Sequence, residues 1–589
     1  MKVENRTISY LLRLWFYFTT RRKVQFFLLI GLALLMSVAE LATIGLIVPF
    51  ITILISPDKV REGEIYASII RKVGHIDDAN MLIYVCMLFA SAGVVSASIR
   101  LLNLYAVNKF TFRLGGELSA LMYERTLCQS YEKITLSNSS DLIDGIVNKS
   151  SLLINNIILP VVNIVGGALV LIFVVSGLVF IQPFATVFAF LALALAYVSM
   201  VYLVKFKTRE ISKVLNSDSG ALIKILQEAF GNIRDIILSG VRQKCVDSYR
   251  MVNSRLRSAQ AYSVFIGQSP RLVIEAFAIC LVALAGYWVS KRGLSAEDSF
   301  PILAALGLGA QRLLPVMQQI YNSYSTIQTH YLSLISSVET LDLPQWLPDN
   351  DEQVEVNFNS SIEFKDVSFR YLGGQNDALS SVNLIIRKGQ RVGIIGSSGG
   401  GKSTLIDILM GLLQPKSGTI LIDGVPLTQA ELKGWQKHIT HVPQSIYLLD
   451  GSMAENIAFS EPGKTIDCSL VEESARKACL DEFVAELPEK YQTRVGERGA
   501  LLSGGQRQRI GVARAIYKSK KVFILDEATS ALDADTEERV MHSLLNASDD
   551  ATFFIVAHRL STLRNCDLVV ELSKGSLVRI GSYDEIIGS

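Results

Sequence analysis

The chain has 589 residues, of which half are hydrophobic and 19% are charged, and its net charge is only +2. This balance gives no reason to expect a nucleic-acid partner, because such proteins present clustered positive charge. The seven cysteines are scattered and odd in number, so they indicate neither a disulfide framework nor a zinc site. Long apolar runs fill the chain up to about residue 330, whereas the remainder alternates short strand-like and helix-like patterns.

The first part of the chain predicts an integral membrane protein. A membrane-spanning helix needs about 20 apolar residues. Six stretches meet this requirement: 25–55, 81–108, 152–180, 183–205, 262–290 and 298–322. The first is far longer than a signal-peptide core of about 7–15 residues, so we expect it to remain in the protein. The basic run 21–23 before it favours a cytoplasmic amino terminus, and residues 7–20 predict an interfacial elbow helix with aromatic anchors.

Two long polar connections, 109–151 and 206–261, have helical patterns. Six spans return the chain to its starting side, so these connections are expected in the cytoplasm. Residues 139–146 and 226–236 at their tips are either plain loops or short transverse helices. We favour helices that contact the domain that follows.

Charged residues interrupt the apolar stretches: Glu40, Arg100, Arg271, Glu275 and Arg312. A charge at the centre of a bilayer costs roughly 3 kcal/mol. Arg271 and Glu275 share a helix face and can pair. At 1.5 Å per residue, the three arginines fall in the inner half of the membrane or at its cytoplasmic edge. They are either structural, by pairing or by reaching the headgroups, or they line one cavity and bind a phosphate or pyrophosphate bidentately.

A linker over 336–358 leads to a second domain over 359–589. Its sequence RVGIIGSSGGGKSTL predicts a strand, a glycine-rich turn and a helix, and it matches the phosphate-binding pattern G-x-x-x-x-G-K-[ST]. Backbone N–H groups of the turn and the helix terminus bind phosphates, Lys402 reaches the β- and γ-phosphates, and Ser403 binds Mg²⁺. The predicted ATP-binding residues of this loop are Gly396, Ser397, Ser398, Gly399, Gly400, Gly401, Lys402, Ser403 and Thr404.

Later motifs complete a site for ATP hydrolysis. A buried strand ends at Asp526, which is predicted to bind Mg²⁺, and Glu527 follows it in position to polarise the attacking water. Gln444 is predicted to contact the metal and the water, and His558 to contact the γ-phosphate. The ring of Tyr371 can stack on adenine. The order and spacing of the set predict an ATP hydrolase.

Residues 502–506 read LSGGQ, and with these motifs the chain resembles the ATP-binding-cassette (ABC) exporters, as a half-transporter. The resemblance covers essentially the whole chain. It implies a transmembrane domain of six α-helices, followed by an α/β P-loop nucleotide-binding domain with a helical LSGGQ subdomain. It also implies ATP and Mg²⁺ as cofactors and a homodimer with two composite sites. In each site the signature of one copy binds the ATP held by the other copy, through Ser503, Gly504, Gly505 and Gln506.

The membrane part is similar to bacterial lipid-linked oligosaccharide flippases over 39–54, 269–277 and 311–324, and the outer segment 56–80 is long enough for a small external helix. That resemblance implies movement of a polyprenyl-pyrophosphate glycan from the cytoplasmic to the outer leaflet of a bacterial inner membrane. It implies Arg100, Arg271 and Arg312 as cargo contacts. Glu275 would then hold Arg271 between cycles.

Three alternatives remain open. A general lipid or multidrug exporter would have the same fold. A peptide exporter is less favoured, since we would expect a peptidase domain before the spans. An ATP-gated channel is disfavoured because every catalytic position is filled.

Overall fold

The structure is a computed structural model that describes residues 2–55, 78–181, 183–291, 296–346, 354–459, 465–546, 550–557 and 559–587. The chain forms two compact units. The first contains Met1–Gln129 and Ser137–Gln345, and the second contains Ser130–Leu136 and Trp346–Ser589.

The first unit is helical throughout its described elements. Its helices are α1 (Lys2–Phe16), α2 (Thr20–Ile55), α3 (Asp78–Leu127), α5 (Ser139–Asp144), α6 (Ser150–Leu153), α7 (Leu159–Ile181), α8 (Pro183–Gly231), α9 (Ile233–Leu238), α10 (Arg242–Lys291), α11 (Ala296–Thr329) and α12 (Tyr331–Leu341). The number α4 is given to the short helix Tyr131–Leu136, which belongs to the second unit. Two π-helical turns, Gly145–Lys149 and Ile154–Ile158, flank α6.

Within the described residues, four helical stretches are long and apolar enough to cross a membrane. They are Thr20–Ile47, Ile83–Leu127, Ser139–Phe180 and Thr186–Val204. They overlap the first four predicted spans. The other two predicted spans, 262–290 and 298–322, lie on α10 and α11 and stay predictions as membrane crossings.

Close packing joins the helices where small residues allow it. At Gly115 on α3, an added Cβ atom would lie 2.2 Å from the Ile154 side chain, so a larger residue would force the chains apart. Leu114 and Ile157 are fully buried beside this contact. By contrast, Leu195 on α8 is 71% exposed, as expected for a side chain that faces lipid.

The predicted contact segment at 139–146 was placed too late in the sequence. The piece that packs with the second unit is α4, where the Glu132 carboxylate accepts the N–H of Leu372 at 2.6 Å. Helix α5 stays in the first unit because the buried Asp144 accepts hydrogen bonds from the Ser219 and Asn148 side chains.

Three further predictions concern short helices. The elbow helix is present as α1, which begins earlier than predicted. The predicted short helix at 226–236 corresponds to the end of α8 and the start of α9. The predicted external helix at 56–80 lies outside the described residues up to residue 77.

The second unit contains two sheets. Their strands are β1 (Ser361–Phe369), β2 (Leu379–Arg387), β3 (Arg391–Gly396), β4 (Ser417–Ile422), β5 (Val425–Pro426), β6 (Ile439–Val442), β7 (Val522–Asp526), β8 (Thr552–Val556), β9 (Leu568–Ser573) and β10 (Ser576–Gly581). The antiparallel sheet has the order β2-β1-β4-β5, and the larger sheet has the order β10-β9-β3-β8-β7-β6. Strands β9, β3, β8, β7 and β6 run parallel, so their carboxyl ends meet at one edge, where ligands bind in open α/β sheets.

Helices cover the larger sheet. They are α13 (Lys402–Leu409), α14 (Leu432–Gln436), α15 (Met453–Ala458), α16 (Cys468–Lys477), α17 (Asp481–Ala485), α18 (Gly504–Lys518), α19 (Ala534–Leu545) and α20 (Tyr583–Ile587). The strands read as near-continuous apolar runs because both of their faces are buried, as in "VFIL" of β7. Trp435 is fully buried and donates its indole N–H to the Leu409 carbonyl at 2.7 Å.

Candidate functional site

The glycine-rich loop joins β3 to α13 at the carboxyl edge of the sheet. Gly396 has φ +146° and Gly401 has φ +104°, which side chains other than glycine rarely adopt. A Cβ atom at Gly396 would lie 2.0 Å from the Leu572 carbonyl oxygen, and one at Gly401 would lie 2.8 Å from that of Ala378. The backbone therefore curls as tightly as phosphate binding requires, and it ends at the N-terminus of α13.

Hydrogen bonds within the loop fix its shape. The Lys402 ammonium donates to the carbonyl oxygens of Gly396 and Ser397 at 2.7 and 3.0 Å, so it is held across the loop. The Gly400 N–H closes the turn by donating to Ser397 at 3.0 Å. Ser398 and Gly399 form the exposed tip, and Ser403 is an exposed residue in the first turn of α13.

Tyr371 lies beside the loop. Its hydroxyl is 3.1 Å from that of Thr404, and its ring meets Phe369 edge-on at 4.9 Å between centroids. Partial burial raises the pKa of Tyr371, so its phenol stays neutral at physiological pH. The fixed ring is suited to stacking against a flat heterocycle.

Strand β7 presents the acidic part of the site. Glu527 directly follows Asp526 and has a left-handed backbone, with φ +51°. The Gln444 amide donates to the Glu527 carboxylate at 2.5 Å, which orients the two side chains toward each other. The structure therefore brings Gln444 and Glu527 together, whereas His558 lies outside the described residues.

The donors present fit a magnesium ion bound with a nucleotide. Ser403, Gln444 and Asp526 offer oxygen ligands, which Mg²⁺ prefers, and the glycine loop forms a cradle that side chains would block. Among the described residues, no group of three His, Cys, Asp or Glu side chains could hold a metal by itself. When bound, Mg²⁺ neutralises charge on the transferring phosphoryl group.

One acidic residue of this region was missed from the sequence. Asp407 lies on the inner side of α13, and burial, reinforced by the charge of Asp526, raises its pKa to about 6. A lone aspartate within the apolar run "LIDILMGLL" was the available signal.

The LSGGQ motif begins α18. The Ser503 hydroxyl accepts the Gln506 N–H at 3.2 Å, and the Gln506 side chain accepts the Ser503 N–H at 2.8 Å, which forms a capping box. Gly504 and Gly505 occupy the first helical positions, and a Cβ atom at Gly505 would lie 3.2 Å from the Ala531 carbonyl. The Gln506 side chain is thus occupied by the cap, while the helix terminus can attract an anion.

In the first unit, a cavity of about 340 Å³ is lined by both Arg100 and Arg312. The Arg100 Nε atom lies 3.7 Å from the buried carboxylate of Glu40, and among the described residues this nitrogen has no hydrogen-bond partner. The polar side chains Asn103 and Gln311 also line the cavity, and their part in it was not predicted. A charged, polar pocket thus lies among otherwise apolar helices.

A second cavity, of about 500 Å³, shares Gln311 and Arg312 with the first, and it is otherwise mostly apolar, with Ile44, Ile47 and Phe89 in its wall. Arg271 lines neither cavity. Its guanidinium donates to the Glu275 carboxylate on the same helix at 2.7 Å. The structure therefore brings two of the three predicted arginines together and pairs the third with its predicted partner.

Comparisons with known proteins agree with this geometry. Residues 379–530 match the ABC transporter domain family. The chain is 33% identical over 383 residues to an ATP-dependent lipid A-core flippase of Xanthomonas campestris pv. campestris, a match that covers 64% of each chain. It is 33% identical over 310 residues to a putative multidrug export ATP-binding/permease protein of Bacillus subtilis, covering 52% of each. The matched region thus spans just under two thirds of the length of the first of these relatives.

A solved structure of a bacterial Atm1-family ABC exporter with ATP bound has a similar fold, with a TM-score of 0.77, 22% identity and 96% of both chains covered. This likeness confirms the predicted fold class: a helical membrane region followed by an α/β nucleotide-binding domain.

Proposed function

We propose that this chain, an ABC exporter half-transporter by its fold and its ATP-binding domain, hydrolyses ATP to move an amphiphilic lipid across a bacterial inner membrane. In its finer form, the cargo is a lipid-linked oligosaccharide, a polyprenyl-pyrophosphate glycan. The cargo is flipped from the cytoplasmic to the outer leaflet by alternating access. The observation that carries the cargo proposal is the cavity shared by Arg100 and Arg312.

The proposed domains are 1–335 for the membrane part, 336–358 for the linker and 359–589 for the nucleotide-binding part. In the latter, Lys402 and the loop N–H groups hold the phosphates. Gln444 orients Glu527 by the 2.5 Å hydrogen bond, and Glu527 then polarises the attacking water.

The complete transporter is proposed to be a homodimer. Large apolar side chains are exposed where α8 and α9 meet, including Phe230 and Leu238 at 71% and 78%. Apolar groups concentrated at a cytoplasmic tip are typical of an interaction surface, and a second copy would cover them. The link between α4 and Leu372 gives each nucleotide-binding part a direct contact with a membrane-domain loop.

The paired cavities suit a charged lipid. Two guanidinium groups at one cavity match the bidentate geometry of phosphate oxygens. The adjoining cavity offers the apolar walls that a hydrocarbon chain needs, and Arg312 belongs to both. A neutral drug would form no ion pair with these partly exposed arginines, whereas a phosphate would.

The test is flipping in proteoliposomes that contain the full chain, with a labelled polyprenyl-pyrophosphate glycan and a labelled phospholipid in parallel. We expect ATP-dependent movement of the glycan lipid, no movement with Glu527→Gln, and a loss of at least about tenfold with Arg100→Gln or Arg312→Gln, since each arginine–phosphate contact is a strong charge-assisted one. Arg257→Gln is the matched control, because Arg257 is exposed and its side chain donates a hydrogen bond to Gln260 on the same helix, away from both cavities.

A second candidate is a general lipid or multidrug exporter. The mostly apolar second cavity favours it, as do the names of relatives that are described as a lipid A-core flippase and a multidrug exporter. Movement of the phospholipid alone would select this candidate. Absence of ATP hydrolysis in the wild-type chain would refute both.

A further inference from the structure

We infer that Glu537 is a positioning residue for ATP hydrolysis: it ties the turn that carries Glu527 to the segment that carries His558. The inference rests on the proposed ATP hydrolysis. Glu537 belongs to none of the motifs that predict the site.

The carboxylate of Glu537 is buried at the start of α19, with the residue only 8% exposed. One of its oxygens accepts hydrogen bonds from the hydroxyl groups of Thr529 and Thr562, at 2.9 and 2.8 Å. The other accepts from the Arg559 guanidinium at 2.6 Å. A buried carboxylate is retained only when its oxygens are bonded in this way, and the bond to a charged donor is among the stronger kinds.

These three donors come from two different segments. Thr529 lies two residues after Glu527, in the turn that follows β7. Arg559 is the next residue after His558, and Thr562 follows in the same segment after β8. The two strands are parallel neighbours, with Asp526 opposite Val556. One side chain therefore links the segment that follows β7, which begins with Glu527, to the segment that follows β8.

The turn at Glu527 needs such support. Its φ of +51° is disfavoured for a residue with a side chain, and conformations of this kind persist only where the surroundings fix them. Two backbone hydrogen bonds help: the Glu527 N–H donates to Val556 at 3.1 Å, and the Ser530 N–H donates to Glu527 at 3.2 Å.

Packing supplies less support here. A cavity of about 210 Å³ lies directly behind the turn, and its lining includes Glu527, Thr529, Glu537 and Arg559. The turn has room to move on this side, because a cavity removes the contacts that would otherwise hold its lining. The hydrogen bonds to Glu537 join residues that line this cavity, so they restrain the turn on the side where packing contacts are missing.

The test compares Glu537→Gln with Glu538→Gln in the full chain, by steady-state ATP hydrolysis and nucleotide-binding stoichiometry. The amide keeps the size of Glu537 but removes its charge, and it leaves one acceptor oxygen in place of the two that Thr529, Thr562 and Arg559 use. We expect kcat per bound nucleotide to fall at least about tenfold, since small displacements of a catalytic group cost up to about 100-fold. The KM for ATP should stay within about twofold, because the phosphate loop is untouched. Glu538 is exposed, so its variant should match the wild type.

A second comparison separates positioning from folding. Arg559→Gln alone should also lower kcat, and the double variant should be no slower than Glu537→Gln, because residues that act as one unit are not additive. Wild-type kcat in Glu537→Gln, a KM that rises as kcat falls, or multiplied losses in the double variant would each overturn the inference. An inactive wild-type chain would refute the proposed function as well, whereas an active one with an unchanged variant refutes the inference alone.

Discussion

The partly buried imidazole of His330 gives a quantitative test of the helical unit. His330 lies between α11 and α12, and burial lowers its pKa from 6.5 to about 4. Its Nδ1 atom is buried and has no hydrogen-bond partner among the described residues. Between pH 6.5 and 4 the unfolded chain binds a proton that the folded chain does not, so stability is lost as pH falls through this window. With these two pKa values the loss between pH 7 and pH 5 is about 2 kcal/mol.

The assay is thermal unfolding of the full chain in detergent at pH 7, 6 and 5, for the wild type, His330→Gln and His542→Gln. Carboxylates also titrate in this range, so the informative quantity is the difference between variant and wild type. We expect His330→Gln to remove about 2 kcal/mol of the acid sensitivity. His542 is exposed, and its variant should follow the wild type. An unchanged pH dependence in His330→Gln would refute the argument from burial.

Two further predictions concern the second unit. Glu132→Ala removes the acceptor for the Leu372 N–H, so we expect ATP hydrolysis to persist while its stimulation by cargo lipid is lost; stimulation equal to the wild type would contradict the proposed coupling contact. Ser452→Ala removes the hydroxyl that accepts the Glu455 N–H in the capping box of α15. It should destabilise the nucleotide-binding part by about 1 kcal/mol in urea unfolding, and an unchanged unfolding midpoint would contradict the role of the cap.

The shapes of the glycine-rich loop and of the LSGGQ turn could be predicted because each is encoded locally. Gly396 and Gly401 occupy backbone conformations that only glycine tolerates, so their spacing specifies the loop without knowledge of the rest of the fold. The same holds for Ser503 and Gln506, whose reciprocal hydrogen bonds span three residues. Glu537 was missed because its three partners lie between 8 and 25 residues away, on segments that only the sheet brings together.

The contact helix was misplaced for a related reason. Residues 139–146 and 131–136 are both short, polar and helical in pattern, and sequence cannot rank them. The choice depends on two distant partners: Ser219, which is 75 residues from Asp144, and Leu372, which is 240 residues from Glu132. Such pairs follow from tertiary packing, which overrides local propensity.

The membrane arginines show what an estimate of depth along a helix can predict and what it cannot. A rise of 1.5 Å per residue placed all three at similar depth, but an α-helix turns about 100° per residue, so depth does not say which of them face one cavity. In the structure, Arg100 and Arg312 line the same cavity, whereas Arg271 donates a hydrogen bond to Glu275. It also sets the buried Glu40 at 3.7 Å from Arg100, too far for a hydrogen bond. An incoming phosphate can form shorter bonds to this guanidinium than Glu40 does. Glu40 therefore offsets part of the arginine's charge while the Nε donor of Arg100 keeps no hydrogen-bond partner among the described residues, which is the arrangement that the proposed anion site would need.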